Sequence, residues 1–177
     1  TAAVRNEGRI AAPAGGVVLL GTQVANHGRI EADGGRVTLA AGEQVTLQLD
    51  GRRLFDVQID RGAAQALVDS GGVIRADGGQ VLLTARGRDA LSRAVVNHTG
   101  VIEARAVQRE GGTIRLMGDM AVGQVHVAGT LDASARDGGD GGFAETSAAR
   151  VSVADSARVS TQAPHGVRLA DLSAEEL

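Results

Sequence analysis

The chain has 177 residues, enough for one domain, and a net charge of −3 with no basic block, which gives nucleic-acid binding no support. It has no cysteine, so a disulfide framework, a thiolate metal site and a cysteine nucleophile are excluded. No apolar run reaches the roughly 18 residues a membrane-spanning helix needs, and the cations are arginine throughout with no lysine, a hint of GC-rich coding and not of function.

Taken in chain order, one phrase keeps returning. Asn6-Glu7-Gly8-Arg9-Ile10-Ala11-Ala12 leads to Gly15-Gly16-Val17-Val18-Leu19. Asn26-His27-Gly28-Arg29-Ile30-Glu31-Ala32 leads to Gly34-Gly35-Arg36-Val37-Thr38-Leu39. Gly72-Val73-Ile74-Arg75-Ala76 precedes Gly78-Gly79-Gln80-Val81-Leu82-Leu83, and Gly100-Val101-Ile102-Glu103-Ala104 precedes Gly111-Gly112-Thr113-Ile114-Arg115-Leu116. A worn fifth copy joins Gly129-Thr130-Leu131-Asp132-Ala133 to Gly141-Gly142-Phe143-Ala144-Glu145-Thr146. Self-similarity at this period means a solenoid or an array. Within each unit, apolar and polar residues alternate with period two over four or five positions, the mark of strands with one buried face, so the unit reads as two short strands joined by a glycine corner.

The equivalent positions Ile10, Ile30, Ile74, Ile102, Leu131 and Val159 are 20, 44, 28, 29 and 28 residues apart. One turn per roughly 20 to 30 residues fits a parallel β-helix, and the interval of 44 then reads as two turns. The expected fold is all-β, a single right-handed parallel β-helix of about seven coils over residues 1–163. Three inward ladders follow: those six residues; Val17, Val37, Val81 and Ile114; and Leu19, Leu39, Leu83 and Leu116. Phe55 and Phe143 are the only aromatic residues, as a narrow interior requires. Glycines take the corners, where positive φ or close approach is needed. Asn6 and Asn26 share one corner, while Asp69 and Asn97 fall one residue earlier, as if those turns carry an insertion.

Two stretches depart from the pattern. Residues 43–69 read as a variant coil, with Val45, Leu47 and Leu49 alternating, a turn at Asp50-Gly51, and Leu54, Val57 and Ile59 beyond it. Residues 164–177 form a divergent C-terminal tail: Pro164-His165-Gly166 breaks the repeat, and 168–177 reads as a short polar helix or frayed end. Thr1 to Arg9 already belong to a repeat and no signal peptide opens the chain, so the segment is expected to come from a longer array.

The run from Gly16 through Gln23-Val24-Ala25-Asn26-His27-Gly28-Arg29-Ile30, then Val37-Thr38-Leu39-Ala40-Ala41-Gly42 and Val81-Leu82-Leu83-Thr84-Ala85, resembles the filamentous-haemagglutinin-like exoproteins of two-partner secretion. Val95-Val96-Asn97-His98-Thr99-Gly100-Val101-Ile102-Glu103-Ala104, Ala128 to Ser134 and Gly141 to Ser147 continue the series in the same order, so the likeness spans about residues 4–163. The resemblance implies a TpsA-type adhesin: a large protein of Gram-negative bacteria, secreted or held on the cell surface and folded outside as a right-handed parallel β-helix. It implies roles in adhesion, haemagglutination or biofilm formation. The implied partners are an outer-membrane two-partner transporter and a host-cell receptor or glycan. The Asn-Pro-Asn-type motif of that family's secretion domain is absent, so transporter contact is expected through an upstream domain not contained in this sequence.

Catalytic, metal and cofactor sites are not expected, and neither is an enzyme. Glu31, Arg75, Glu103 and Asp132 share one outward slot after the core aliphatic and form the candidate ligand face. Glu103 and Asp132 fall on adjacent coils, where close carboxylates can share a proton or a cation, although a solvated face balanced by arginine is the plainer reading. Asn97-His98-Thr99 is a glycosylation sequon at an expected exposed corner. Asp137-Gly138-Gly139-Asp140-Gly141-Gly142 resembles half of a calcium-binding loop, without the second copy such sites need. His27, His98, His126 and His165 read as scattered turn residues. The alternative function is a β-helical carbohydrate-active or carbohydrate-binding module. Its signature would be a groove walled by long connections, for which residues 85–96 and 104–110 are the candidates.

Overall fold

Alternating Val, Ile and Leu bounded by glycine corners give short strands throughout the computed structural model, which describes residues 2–50, 53–108, 110–164 and 169–174. The chain runs in repeated circuits of three strands. The first is β1 (Ala3–Asn6), β2 (Arg9–Ala11) and β3 (Gly16–Gly21); the second is β4 (Gln23–Asn26), β5 (Arg29–Glu31) and β6 (Arg36–Ala41). An antiparallel hairpin follows, β7 (Gln44–Asp50) and β8 (Arg53–Arg61). The circuits resume with β9 (Gln65–Ser70), β10 (Val73–Arg75) and β11 (Gln80–Ala85), then β12 (Arg93–His98), β13 (Val101–Glu103) and β14 (Thr113–Met117). The last two are β15 (Gly123–Val127), β16 (Thr130–Asp132) and β17 (Phe143–Ala148), and β18 (Arg150–Val153), β19 (Arg158–Ser160) and β20 (Leu169–Ala174).

Like strands of successive circuits pair in parallel to build three sheets. Sheet A holds β1-β4-β9-β12-β15-β18, sheet B β2-β5-β10-β13-β16-β19, and sheet C β3-β6-β11-β14-β17-β20. This is an all-β arrangement of stacked parallel strands, consistent with a β-helix or solenoid. All three expected ladders are present in register: Ile10–Ile30–Ile74–Ile102–Leu131–Val159 in sheet B, with the Val17 and Leu19 ladders in sheet C. Ile30, Ile74, Ile102, Leu39, Leu83 and Leu116 are wholly buried. Full burial of one such side chain contributes about 1.5–3 kcal/mol, so the interior is held by repetition of small terms.

Four sequence expectations need correction. The circuit has three strands and not two; the missed one is sheet A, whose core row is Val4–Val24–Val68–Val96–Val125–Val151. The interval of 44 residues is one circuit, since β5 pairs directly with β10, and residues 43–61 leave the stack as the hairpin. Each sheet therefore holds six strands where the spacing pointed to about seven coils. Asp69 and Asn97 mark no insertion: they align with Ala25 on the outer side, while Ser70 and His98 take the slot of Asn6 and Asn26. Finally, Leu169–Ala174 is a strand parallel to β17 and not a helix or frayed end. Gly51, the pivot of the expected turn, and His165 lie outside the described residues.

The glycine corners work mostly by close approach. A Cβ at Gly28, Gly72, Gly100 or Gly129 would fall on the carbonyl oxygen of the corresponding glycine one circuit earlier. Positive φ is needed at the other corner, where Gly34 (67°) and Gly78 (68°) match Ala14 (55°), so the first circuit bears a methyl group in a conformation that disfavours one.

One inward row is polar. Asn6, Asn26, Ser70 and His98 stack where Val127 and Val153 follow, and Asn6 Nδ2 donates to Asn26 Oδ1 at 2.7 Å. His98 is fully buried with Nε2 3.0 Å from the Thr130 carbonyl, and burial pushes its pKa down against that carbonyl's pull.

Candidate ligand-binding face

The sequence placed Glu31, Arg75, Glu103 and Asp132 in one slot, and the register does so: they are successive partners across β5, β10, β13 and β16. The slot is already occupied by charge pairing. Glu31 accepts from Arg9 Nη2 at 2.5 Å and Arg29 Nε at 2.6 Å, and these two guanidinium groups hold its pKa down from 4.5 to about 2. Arg75 reaches back to Asp33, with Nε at 3.1 Å and Nη2 at 2.8 Å, a fork that raises its pKa. Arg105 makes the same backward fork to Asp77. There burial works to raise the Asp77 pKa, but the guanidinium and the Arg105 backbone N–H outweigh it and the net shift is downward. Glu103 lies 3.5 Å from Arg105, and Asp132, almost buried, accepts from Arg136 at 2.5 Å and from the Ser134 N–H. Glu103 and Asp132 are thus neighbours in register, yet each carboxylate faces its own arginine. Forked arginine–carboxylate pairs along a stack lock adjacent circuits together and leave little unsatisfied valence for a ligand.

Sheet C presents a different outer face. Val18, Leu20 and Ala40 on β3 and β6 are apolar, and the hairpin lays Val45, Val57 and Ile59 over them. The hairpin leaves and rejoins the stack at one point, where Glu43 N–H donates to the Arg61 carbonyl (2.9 Å) and the two side chains pair at 3.2 Å. Arg88 also reaches Glu43 (3.7 Å), and Arg86 Nη1 donates to the Ile59 carbonyl at 2.7 Å, tying β8 to the loop after β11.

Beside β8 the cover stops and a groove of about 1080 Å3 opens. Its floor is the outer face of β6, β11 and β14, including Thr38, Leu82, Thr84, Arg115 and Met117. Asp56–Ile59 form one wall, and 86–90 with 118–122 close an end. Arg115 is anchored, 3.2 Å from Glu145 and 5.6 Å from the Phe143 ring centroid. Arg36, Asp56, Gln58 and Gln80 line the groove, and their side chains have no hydrogen bond or ion pair among the described residues. Thr38 Oγ1 is sealed from solvent beneath this floor without a hydrogen-bond partner, at a cost of about 1–3 kcal/mol. The groove depends on the hairpin leaving the stack, which the sequence disguised as another coil. The available signal was the interval of 44 residues against 20 to 29 elsewhere.

The remaining motifs disperse. Asn97 sits inside β12 with Nδ2 donating to Asp69 Oδ1 at 2.8 Å, so its amide is engaged within a strand and not presented at a corner. His27 pairs with the other Asp69 oxygen at 2.8 Å, and His126 Nδ1 lies 2.9 Å from Ser152 Oγ. Residues 137–142 form a corner in which Gly138 and Gly139 both have positive φ. Among the described residues no three His, Asp or Glu side chains come together as a metal site, and no helix is long and apolar enough to cross a membrane. No protein-family model matches the chain, and no curated protein matches it.

Proposed function

We propose that the chain is a structural and adhesive segment of a large exoprotein on the surface of a Gram-negative bacterium, of the filamentous-haemagglutinin-like, two-partner-secreted kind its repeats resemble. In this reading it is a single right-handed parallel β-helix that carries and spaces binding faces, and it is not an enzyme. Transport would run through an outer-membrane partner that recognises a domain upstream. The observation that carries the reading is the three-sheet stack, with hydrophobic ladders inside, forked arginine–carboxylate pairs outside, and a groove beside the hairpin. A stack in which each circuit templates the next also suits a chain that emerges unfolded.

Bead adherence tests this directly. Beads coated with the purified chain should adhere to epithelial cells or to a biofilm matrix in a saturable way, and soluble chain should compete. Adherence no greater than that of beads coated with an inert protein would overturn the adhesive role. A carbohydrate-active module is the second reading, favoured by the walled groove alone; release of reducing ends from polysaccharide would establish it.

A further inference from the structure

We infer that the groove between β8 and the outer face of β11 and β14 is a binding site for a neutral oligosaccharide. The inference deepens the adhesive reading and rests on it for its biological role, but its chemistry stands on the groove itself. Three of the four arginines lining the groove are already engaged: Arg86 with the Ile59 carbonyl, Arg88 with Glu43 and Asp89, and Arg115 with Glu145. The Arg36 and Asp56 side chains have no partner among the described residues, Arg86 is bonded only to a neutral carbonyl, and Asp119 accepts only from the Ala121 and Val122 N–H groups, so the lining holds two cations and two carboxylates outside any ion pair. A lining whose unpaired charges balance, with two amides free of partners, Gln58 and Gln80, matches a ligand that needs both donors and acceptors and carries no net charge. Hydroxyl-bearing rings have this character: vicinal hydroxyls can donate to Asp56 and accept from Arg36 or the amides. Leu82 and Met117 supply apolar surface on the groove floor for the C–H faces of sugar rings.

Size and the hairpin edge narrow the choice. The groove is open and slightly larger than the roughly 300–1,000 Å3 of ordinary small-molecule pockets, which suits a chain of residues more than a single compact ligand. An extended peptide would need the free edge of β8, but the Ile59 carbonyl on that edge already accepts from Arg86.

The test is titration calorimetry with the intact chain and three ligand sets: linear neutral hexose oligosaccharides of differing linkage, hexuronate oligomers, and extended peptides of matched length. At least one neutral series should bind saturably, with affinity changing less than about twofold between low and high salt, since no ion pair forms. Asp56→Asn and Gln80→Ala should each weaken binding about fivefold to tenfold, while Arg5→Ala on the outer face of sheet A should leave it unchanged. Asp56 and Gln80 are exposed, so unfolding is not expected, and Gln58→Ala on the wall supplies a second variant. Absence of neutral-oligosaccharide binding at millimolar ligand would overturn the inference. Binding confined to hexuronates or peptides, or indifferent to all three variants, would do so equally. Bead adherence without oligosaccharide binding would leave the adhesive reading standing and remove only this one.

Discussion

The outer faces of sheets B and C are built on the same repeat and have opposite chemistry. On sheet B every candidate carboxylate meets an arginine, often one contributed by the neighbouring circuit. On sheet C a hairpin covers Val18, Leu20 and Ala40, and beside it Arg115 pairs with Glu145 while the Arg36 and Gln80 side chains find no partner among the described residues. The lesson is that a row of charges in register is a poor guide to a binding face in a stacked fold. Register brings opposite charges together as readily as like ones, and once paired they become mortar between circuits. On and beside the inserted hairpin, Arg36, Asp56, Gln58 and Gln80 keep side chains without such partners among the described residues.

Five measurements can break or sharpen that contrast. The largest effect should separate the two sides of a single strand. Leu83→Ala, inward on β11, should lower unfolding free energy by about 2–5 kcal/mol in urea titrations, whereas Leu82→Ala, outward on the groove floor, should cost less than about 1 kcal/mol. Similar costs for both would mean that the groove floor is part of the core.

Acid should act through sheet B. The Glu31 pKa is depressed in the folded chain, so its contribution is fully present above the unfolded value of 4.5 and is lost as pH falls through about 2. Thermal melting followed by circular dichroism should decline across that window, and Glu31→Gln should reduce the decline. A Glu31→Gln profile parallel to that of the wild type would remove Glu31 from the mortar.

His98 tests the interior at higher pH. Its pKa is lowered by burial, so the neutral ring is the folded form and stability is full above the unfolded value of about 6.5. Melting temperature should drop as pH falls through that value, and His98→Asn, which continues the asparagine row, should flatten the drop. Persistence of the drop in His98→Asn would assign it to other groups.

Smaller effects should belong to the hairpin and the groove. Arg86→Ala removes the bond to Ile59, and amides of β8 should exchange faster with a global loss of about 1 kcal/mol. Gln80→Ala should change stability by less than about 0.5 kcal/mol, because the side chain has no partner to lose. A large loss there would show that the groove face is as interlocked as sheet B.

The ladders beneath this contrast were legible in the sequence and the groove beside the hairpin was not. Repetition fixes a ladder because equivalent residues must share a slot, and Ile10, Val17 and Leu19 found their partners on that ground alone. The slot of Glu31, Arg75, Glu103 and Asp132 was legible for the same reason. Its neutralisation was not, since Asp33, Asp77, Arg105 and Arg136 lie at other offsets and meet their partners only through side-chain reach. Sheet A escaped notice because its strands Gln23–Asn26 and Gln65–Ser70 share a core valine and little else. The hairpin escaped because a strand in a hairpin and a strand in a stack alternate alike, and period alone cannot say which partner a strand takes.

The hairpin has one further consequence. It departs and returns through the adjoining Glu43 and Arg61, and the circuits on either side pair as if it were absent: β6 with β11 and β5 with β10, without a shift of register. A corner of this stack can therefore accept a graft of some twenty residues without the interior being recomposed. Insertion and architecture are separable in such a chain. New segments can be tried at the corners while the ladders beneath them continue to be copied unchanged.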